Sequence, residues 1–241
     1  MRHDDRAPDQ LRPCSIEPGF ITRALGSALV RTGDTRVICT ASAEERAPSW
    51  LSGGGWVTAQ YAMLPGATTP RGPRDPGGRG KEIQRLIGRA LRASINLEQL
   101  VGPEGEPISI MCDCDVIEAD GGTRTASITG AFVALQLALR RLHEQGRLAG
   151  DPVRAPVAAV SVGLVTIAEA PVPVLDLDYH EDSQAVVDLN VVGLAGGGLV
   201  EVQGTGEHGS FERAQLDAML DLAEGGITSL LAAQRKALGD G

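Results

Sequence analysis

Aromatic residues are scarce in this chain: two Trp, two Tyr and three Phe among 241 positions. The core must therefore be aliphatic, built from Val, Leu, Ile and Ala. Lysine is nearly absent, with only Lys81 and Lys236, so the positive charge is carried by arginine. A GC-rich genome produces that bias too, but arginine also suits bidentate recognition of phosphate and carboxylate. Net positive charge is lacking: the formal charge is −9. That excludes a uniformly basic nucleic-acid coat and leaves room for a local basic stripe. The four cysteines, at 14, 39, 112 and 114, form no CxxC and have no histidine at ligand spacing. Buried free thiols in a reducing compartment are expected. No apolar run reaches the roughly 18 residues of a membrane span. The opening MRHDDRAPDQ has no apolar stretch of the kind a secretory leader carries, so a cytoplasmic location is expected.

At roughly 150 residues per domain, this length fits one large domain or two tight halves. Residues 1–13 are polar with two prolines and predict an extended arm. Gly19–Arg23, Ser27–Arg31 and Arg36–Ala43 have strand character, with turn signals at Gly26-Ser27 and Gly33-Asp34, and predict an antiparallel meander. Trp56–Leu64 predicts another strand. From Pro65 to Gly80 there are four prolines, five glycines and three arginines, which predicts an irregular basic loop. Lys81–Leu97 predicts a helix: Ile83, Leu86, Ile87, Ala90, Leu91 and Ile95 form one apolar stripe. Arg85, Arg89 and Arg92 follow another face of it, a ridge of like charge that needs acids, a subunit interface or a phosphate chain opposite. Ile108–Ala119 predicts a strand with Asp113 and Asp115 on one face, followed by a helix over Arg124–Gln145. The second part repeats the order. Strands are expected at Val157–Ile167, Val174–Asp178, Ala185–Val192 and Leu199–Gly204. A turn is expected at Pro171-Val172-Pro173, and helix over Ser210–Leu238 with Ser210 as N-cap. Strands first and helix last, twice, predicts an α+β architecture of two related β-rich halves, about 14–150 and 151–241, with helices packed on mixed sheets.

Two clusters carry chemistry. Asp120-Gly121-Gly122-Thr123-Arg124-Thr125 joins a strand to a helix N-terminus, where backbone amides and the helix dipole favour an anion. A tight turn with a capping hydroxyl would have the same composition. Asp176, Asp178, Glu181, Asp182 and Asp188 place five acids within 14 residues. They must be solvated or paired with a cation, and oxygen ligands alone favour Mg²⁺ or Mn²⁺ over zinc. Together with the basic loop and ridge, these clusters describe phosphate chemistry on a polyanion. No protein nucleophile motif is evident.

At these residues the chain resembles the ribonuclease PH family, phosphate-dependent 3′ exoribonucleases that trim transfer RNA precursors. The resemblance runs nearly end to end, from RAPDQLRP through GDTRVICTAS, GWVTAQYAMLP, EIQRLIGRALRA, CDCDVIEADGGTRTASITGAF and LDLDYHEDSQAVVDLNVV to VEVQGTGE. It implies a ribosomal protein S5 domain 2-like fold spanning residues 1–241 as one unit, and a hexameric ring built as a trimer of dimers. It also implies attack by inorganic phosphate on the last phosphodiester, releasing a nucleoside diphosphate; the reverse reaction adds nucleotides. It places phosphate on Arg79, Gly122, Thr123 and Arg124, and a catalytic and Mg²⁺-binding (or Mn²⁺-binding) pair on Asp182 and Asp188. RNA would meet Arg71, Arg74, Arg85, Arg89 and Arg92. The chain departs from the family pattern at Gly66, where MLPGAT stands in place of the usual MLPRAT. It also departs in a shorter arginine loop and a shorter glycine segment before Trp56. The alternatives are a catalytically silent RNA-binding ring subunit and a hydrolytic nuclease. Retention of Arg79, Arg124, Asp182 and Asp188 argues against the first, and phosphate dependence separates the second.

Overall fold

The structure, a computed structural model, describes residues 2–44, 48–51, 53–75, 77–207 and 209–240. Strict alternation sets the first sheet. In β3 (Thr35–Glu44), Val37, Cys39 and Ala41 are buried, while the residues between them are half-buried or exposed. In β5 (Ser109–Glu118), Ile110, Cys112, Cys114 and Val116 are buried. Period-two patterning of this kind turns one sheet face inward. With β1 (Cys14–Pro18), β2 (Gly26–Thr32) and β4 (Trp56–Met63), these strands make a five-stranded sheet in the order β1-β2-β3-β5-β4. All pairings are antiparallel except β4 with β5. That parallel pair needs a crossover. The chain supplies it as a 3₁₀ turn at Pro65–Ala67 and the helix α1 (Gly77–Ala93).

The second sheet is wholly antiparallel, in the order β7-β6-β8-β9. Its strands are β6 (Val157–Ile167), β7 (Ala170–Leu175), β8 (Val187–Leu194) and β9 (Leu199–Gly206). Between the sheets runs α2 (Thr123–Glu144), which packs against β2, β3 and β6. It buries Ile128, Phe132, Val133, Leu135 and Leu139. Gly130 lets α2 lie directly on Val30 and Cys39, where a Cβ would collide with both. The last helix, α4 (Arg213–Leu238), packs on β6, β7 and β1. The architecture is α+β, as the motif pattern implies.

Several local expectations need correction. Gly19–Arg23 is not a strand; the edge strand is Cys14–Pro18. Gly19 turns the chain at φ +72°, and the Ser27 hydroxyl holds the bend through the Ile21 amide at 2.9 Å. Pro171 and Pro173 lie inside β7 rather than in a turn. β7 is an edge strand, where a missing N–H is tolerated. The turn sits at Ala168-Glu169, both with positive φ. β7 then stops at Leu175 because Asp176 adopts φ +56°. The final helix begins at Arg213, capped by Glu212 and Gln215, not by Ser210. All four cysteines are free; Cys39, Cys112 and Cys114 are buried. Burial pushes the Cys112 thiol well up, and a hydrogen bond with Cys39 together with burial does the same for Cys114. No helix of the described residues is long and apolar enough to cross a membrane.

Candidate active site

α1 runs from Gly77 to Ala93, beginning four residues before the expected start at Lys81 and ending before Leu97. The end of the basic loop is therefore helical, and Arg79 sits on the first turn. The stripe of Ile83, Leu86, Ile87, Ala90 and Leu91 seats α1 on β4 and fixes where Arg79 points. On the other side of the same cleft, Gly121 and Gly122 take left-handed conformations, φ +71° and +66°, before α2 starts. Such conformations favour glycine. Gly121 is demanded by contact as well. A Cβ there would lie 2.6 Å from the Asp178 carbonyl carbon and 2.8 Å from the Tyr179 nitrogen. Its absence lets the chain of the second sheet reach the start of α2.

The segment that reaches in is the short helix α3 (Tyr179–Asp182). It is closed by a capping box in which Asp178 accepts from the Glu181 amide at 3.0 Å. α3 carries Asp182, and β8 carries Asp188 and Asn190. The result is a cavity of about 390 Å³ between the two sheets. Arg79, Gly122, Thr123, Arg124, Asp182 and Asp188, drawn from four separate stretches of sequence, all line it.

Electrostatics divide the cavity. Arg124 donates to the Gln203 Oε1 at 3.3 Å, and Gln203 donates in turn to Glu82 at 2.7 Å, so β9 steadies the arginine. The Thr123 hydroxyl lies 2.9 Å from the Tyr61 phenol oxygen, whose pKa burial pushes up. Burial also raises Asp182, with Arg124 and Arg79 partly offsetting the effect. Asp188 is pushed up to about 6 by burial and then by the neighbouring Asp182 charge. Its Oδ2 is 3.5 Å from the Asn190 amide, while its Oδ1 is buried with no hydrogen-bond partner. A buried carboxylate oxygen without a donor calls for a proton or a cation.

The other three acids of the cluster are paired with cations, as expected of buried acids, but the cations are arginines rather than a metal ion. Asp176, Asp178 and Glu181 are buried against arginines of the N-terminal arm. Arg2 grips Glu181 at 2.5 and 2.7 Å, and Arg6 lies 3.3 Å from the same carboxylate. Arg12 makes a fork on Asp176 at 2.6 and 3.1 Å. Asp178 is buried too, yet the Glu181 amide and His3, at 2.6 Å, hold its carboxyl below the usual range. Among the described residues no group of three or more His, Cys, Asp or Glu could hold a metal. Asp182 and Asp188 stand as a pair.

The five arginines expected to meet RNA are spread out. Arg71 and Arg74 are exposed on the loop whose Gly72 and Pro73 line the cavity mouth. Arg85 is exposed beside Lys81, Glu82 and Arg89. Arg89 is salt-bridged to Glu201. Arg92 is half-buried, with its guanidinium 4.5 Å from the centre of the Trp56 ring and a 2.9 Å bond to the Val57 carbonyl. Internal contacts thus offset part of the ridge. The sequence reading missed Tyr61, Tyr179 and Asn190 of the lining. Nothing in their local spacing marks them, since each reaches the cavity from a different strand or helix end.

A cleft between two sheets, with arginines and a helix N-terminus facing paired carboxylates, defines a protein that works on phosphates. The chain belongs to the 3′ exoribonuclease family: domain 1 of the family matches residues 10–140 and domain 2 matches residues 155–226. It is 54% identical to ribonuclease PH of Corynebacterium efficiens over 99% of this chain and 96% of that one. It is 55% identical to ribonuclease PH of Corynebacterium glutamicum, with the same coverage. An exosome of Archaeoglobus fulgidus, solved with RNA bound to its active site, shares the fold. Its TM-score is 0.79 at 24% identity, over 96% of this chain and 91% of that one.

Proposed function

We propose that the chain is a phosphorolytic 3′–5′ exoribonuclease that trims the 3′ ends of tRNA precursors and releases nucleoside diphosphates. One observation carries the reading. Arg79 and the Gly122–Arg124 turn face Asp182 and Asp188 across a single cavity. Phosphate held between Arg79, the start of α2 and Arg124 is oriented to attack the terminal phosphodiester. A bond forms from a phosphate oxygen to the scissile phosphorus, and the bond to the 3′ oxygen of the preceding nucleotide breaks. That oxygen leaves with a proton. With its pKa near 6, Asp188 still holds a proton in a fraction of molecules at neutral pH, which suits it to supply one.

The pair also fits Mg²⁺ or Mn²⁺. Hard cations of this kind bind through one or two carboxylates plus substrate phosphates, and Asp188 offers a buried oxygen without a donor. When bound, the ion neutralises charge on the phosphates. Arg71, Arg74 and Arg85 lie outside the cavity and serve the RNA chain, in a cytoplasmic homo-hexameric ring of three dimers. Exposed Phe20 and Ile21 are apolar surface that such an assembly can cover.

The deciding assay incubates RNA with enzyme and Mg²⁺, with and without phosphate. Diphosphate products that appear only with phosphate are expected, and monophosphates released without phosphate would overturn the reading. Arg79→Ala and Arg124→Ala should each weaken phosphate affinity by about 10- to 150-fold, the loss of one charge-assisted contact of about 1.5–3 kcal/mol. Phosphate titration of turnover measures this.

A further inference from the structure

Arg12 lies outside the cavity, with 5% of its surface exposed, yet it touches both elements that build it. Its backbone N–H donates to the Asp176 Oδ2 at 2.8 Å, and its Nε and Nη2 make the fork on the same carboxylate. Its Nη1 donates to the Asp120 carbonyl. Asp120 opens the turn that leads through Gly121 and Gly122 into Thr123 and Arg124. Asp176 opens the segment that leads through the capping box into Asp182. The guanidinium lies directly beneath the turn, 2.9 Å from where a Gly122 Cβ would stand.

Other bonds fix each segment to its own sheet, and one more joins the two. The Asp120 amide donates to the Thr35 hydroxyl at 2.8 Å, and that hydroxyl donates to the Gly121 carbonyl at 2.7 Å. The Tyr179 amide donates to the Asp120 Oδ1 at 3.2 Å. Asp176 is held at φ +56°, its N–H bonded to the Ser161 carbonyl at 2.7 Å. A non-glycine residue keeps that conformation only where its surroundings fix it. The two turns therefore meet through the Tyr179–Asp120 bond and through one planar, five-donor group, the only one of the two that also grips Asp176. A lysine cannot replace it, because an ammonium carries no fork.

We propose that Arg12 is a positioning residue: it sets the distance between the phosphate-holding turn of the first sheet and the Asp182 helix of the second. Arg2 is the natural contrast. It binds Glu181 and the carbonyls of Leu175 and Asp176 on the second-sheet side and the Ala7 and Gln10 carbonyls of its own arm, and it has no bond to Asp120. The inference rests on the phosphorolytic reading of the cavity.

Three variants test it: Arg12→Lys, Thr35→Val and Arg2→Lys. Melting temperature, binding of inorganic phosphate by calorimetry, and KM for phosphate against kcat on a short RNA are measured for each. A misplacement of about 1 Å in a catalytic site costs up to about 100-fold. Arg12→Lys should raise the phosphate KM and Kd about tenfold and lower kcat as well. Thr35→Val, which loosens only the phosphate turn, should raise KM and Kd, and Thr35→Ser should restore them. Arg2→Lys should lower melting temperature and leave the phosphate Kd within twofold. Should Arg12→Lys not fold, Arg12→Gln, which keeps a shorter planar donor group, takes its place in the same measurements. Phosphate affinity unchanged in a folded Arg12 variant would overturn the proposal. So would an equal loss of phosphate affinity in Arg2→Lys. A wild-type enzyme that released no diphosphates would instead overturn the phosphorolytic reading, and phosphate calorimetry would still report on Arg12.

Discussion

Asp188 shows how one residue can serve chemistry at a cost to folding. Its carboxyl is pushed up to about 6 from the ordinary 3.8 by burial and by Asp182. An acid whose pKa is raised on folding destabilises the folded state wherever it must ionise there. The penalty is complete above about pH 6, shrinks as pH falls towards 4, and vanishes below the unfolded value. By linkage it amounts to about 2–3 kcal/mol. Asp188→Asn should therefore melt several degrees higher than wild type at pH 8 without divalent ions. The advantage should disappear near pH 4, and the variant should be without turnover. Mg²⁺ should raise the wild-type melting temperature and leave the variant unmoved. Thermal scans across pH, with and without Mg²⁺, check all of this; a variant that melts lower at pH 8 would remove Asp188 from its proposed place.

Between elements, the closest approach is that of the Gly121 turn and the 177–179 segment. Gly121→Ala adds a left-handed penalty of about 1–2 kcal/mol and a Cβ 2.6 Å from backbone, which cannot rotate away. The segment must retreat, carrying Asp182 with it. Turnover should fall at least about 100-fold while the protein stays folded, as circular dichroism and an RNA assay would show. Gly66 presents the opposite case: a side chain there would meet nothing within 4 Å. Element positions were largely legible from pattern. The apolar stripe of α1 and the alternation of β3 and β5 are read directly off the chain, because each face buries against one neighbour. The start of α1 was not legible, since Gly77, Gly78 and Gly80 have poor helix propensity and no apolar side chain marks that turn. β7 was misplaced because prolines mark turns unless the strand is at an edge, and edge position is a property of the sheet.

For the molecule as a whole, a protein of charge −9 must hold a polyanion through local arginines. Arg71 and Arg74 are exposed on the loop at the cavity mouth, and a ring would bring several such loops to one RNA. The double variant Arg71→Ala, Arg74→Ala should bind tRNA precursors more weakly, with a salt slope shallower by about 0.7 per lost phosphate contact. It should still degrade a short oligonucleotide. Gly66→Arg should act in the opposite sense, tightening tRNA binding and steepening the slope. Salt titration of binding, with mass followed by light scattering, reads both. Equal losses on long and short RNA would assign Arg71 and Arg74 to chemistry or folding instead.

By itself the sequence determined the α+β class, the family and the short list of Arg79, Gly122, Thr123, Arg124, Asp182 and Asp188. The class rests on alternation and apolar periodicity, the glycine turn before a helix marks Gly122 to Arg124, and Arg79, Asp182 and Asp188 come from the family resemblance alone. Only the tertiary structure decided which of five acids face the cavity. Asp176, Asp178 and Glu181 are chemically the same kind of group as Asp182 and Asp188, and they stand beside them in the chain. They differ in having Arg2, Arg6, His3 and Arg12 as partners. Those partners come from more than 160 residues away, on an N-terminal arm whose resting place no local pattern specifies. A buried charge is silenced by whatever ends up within about 4 Å of it, and that distance exists only once the two sheets have closed on α2.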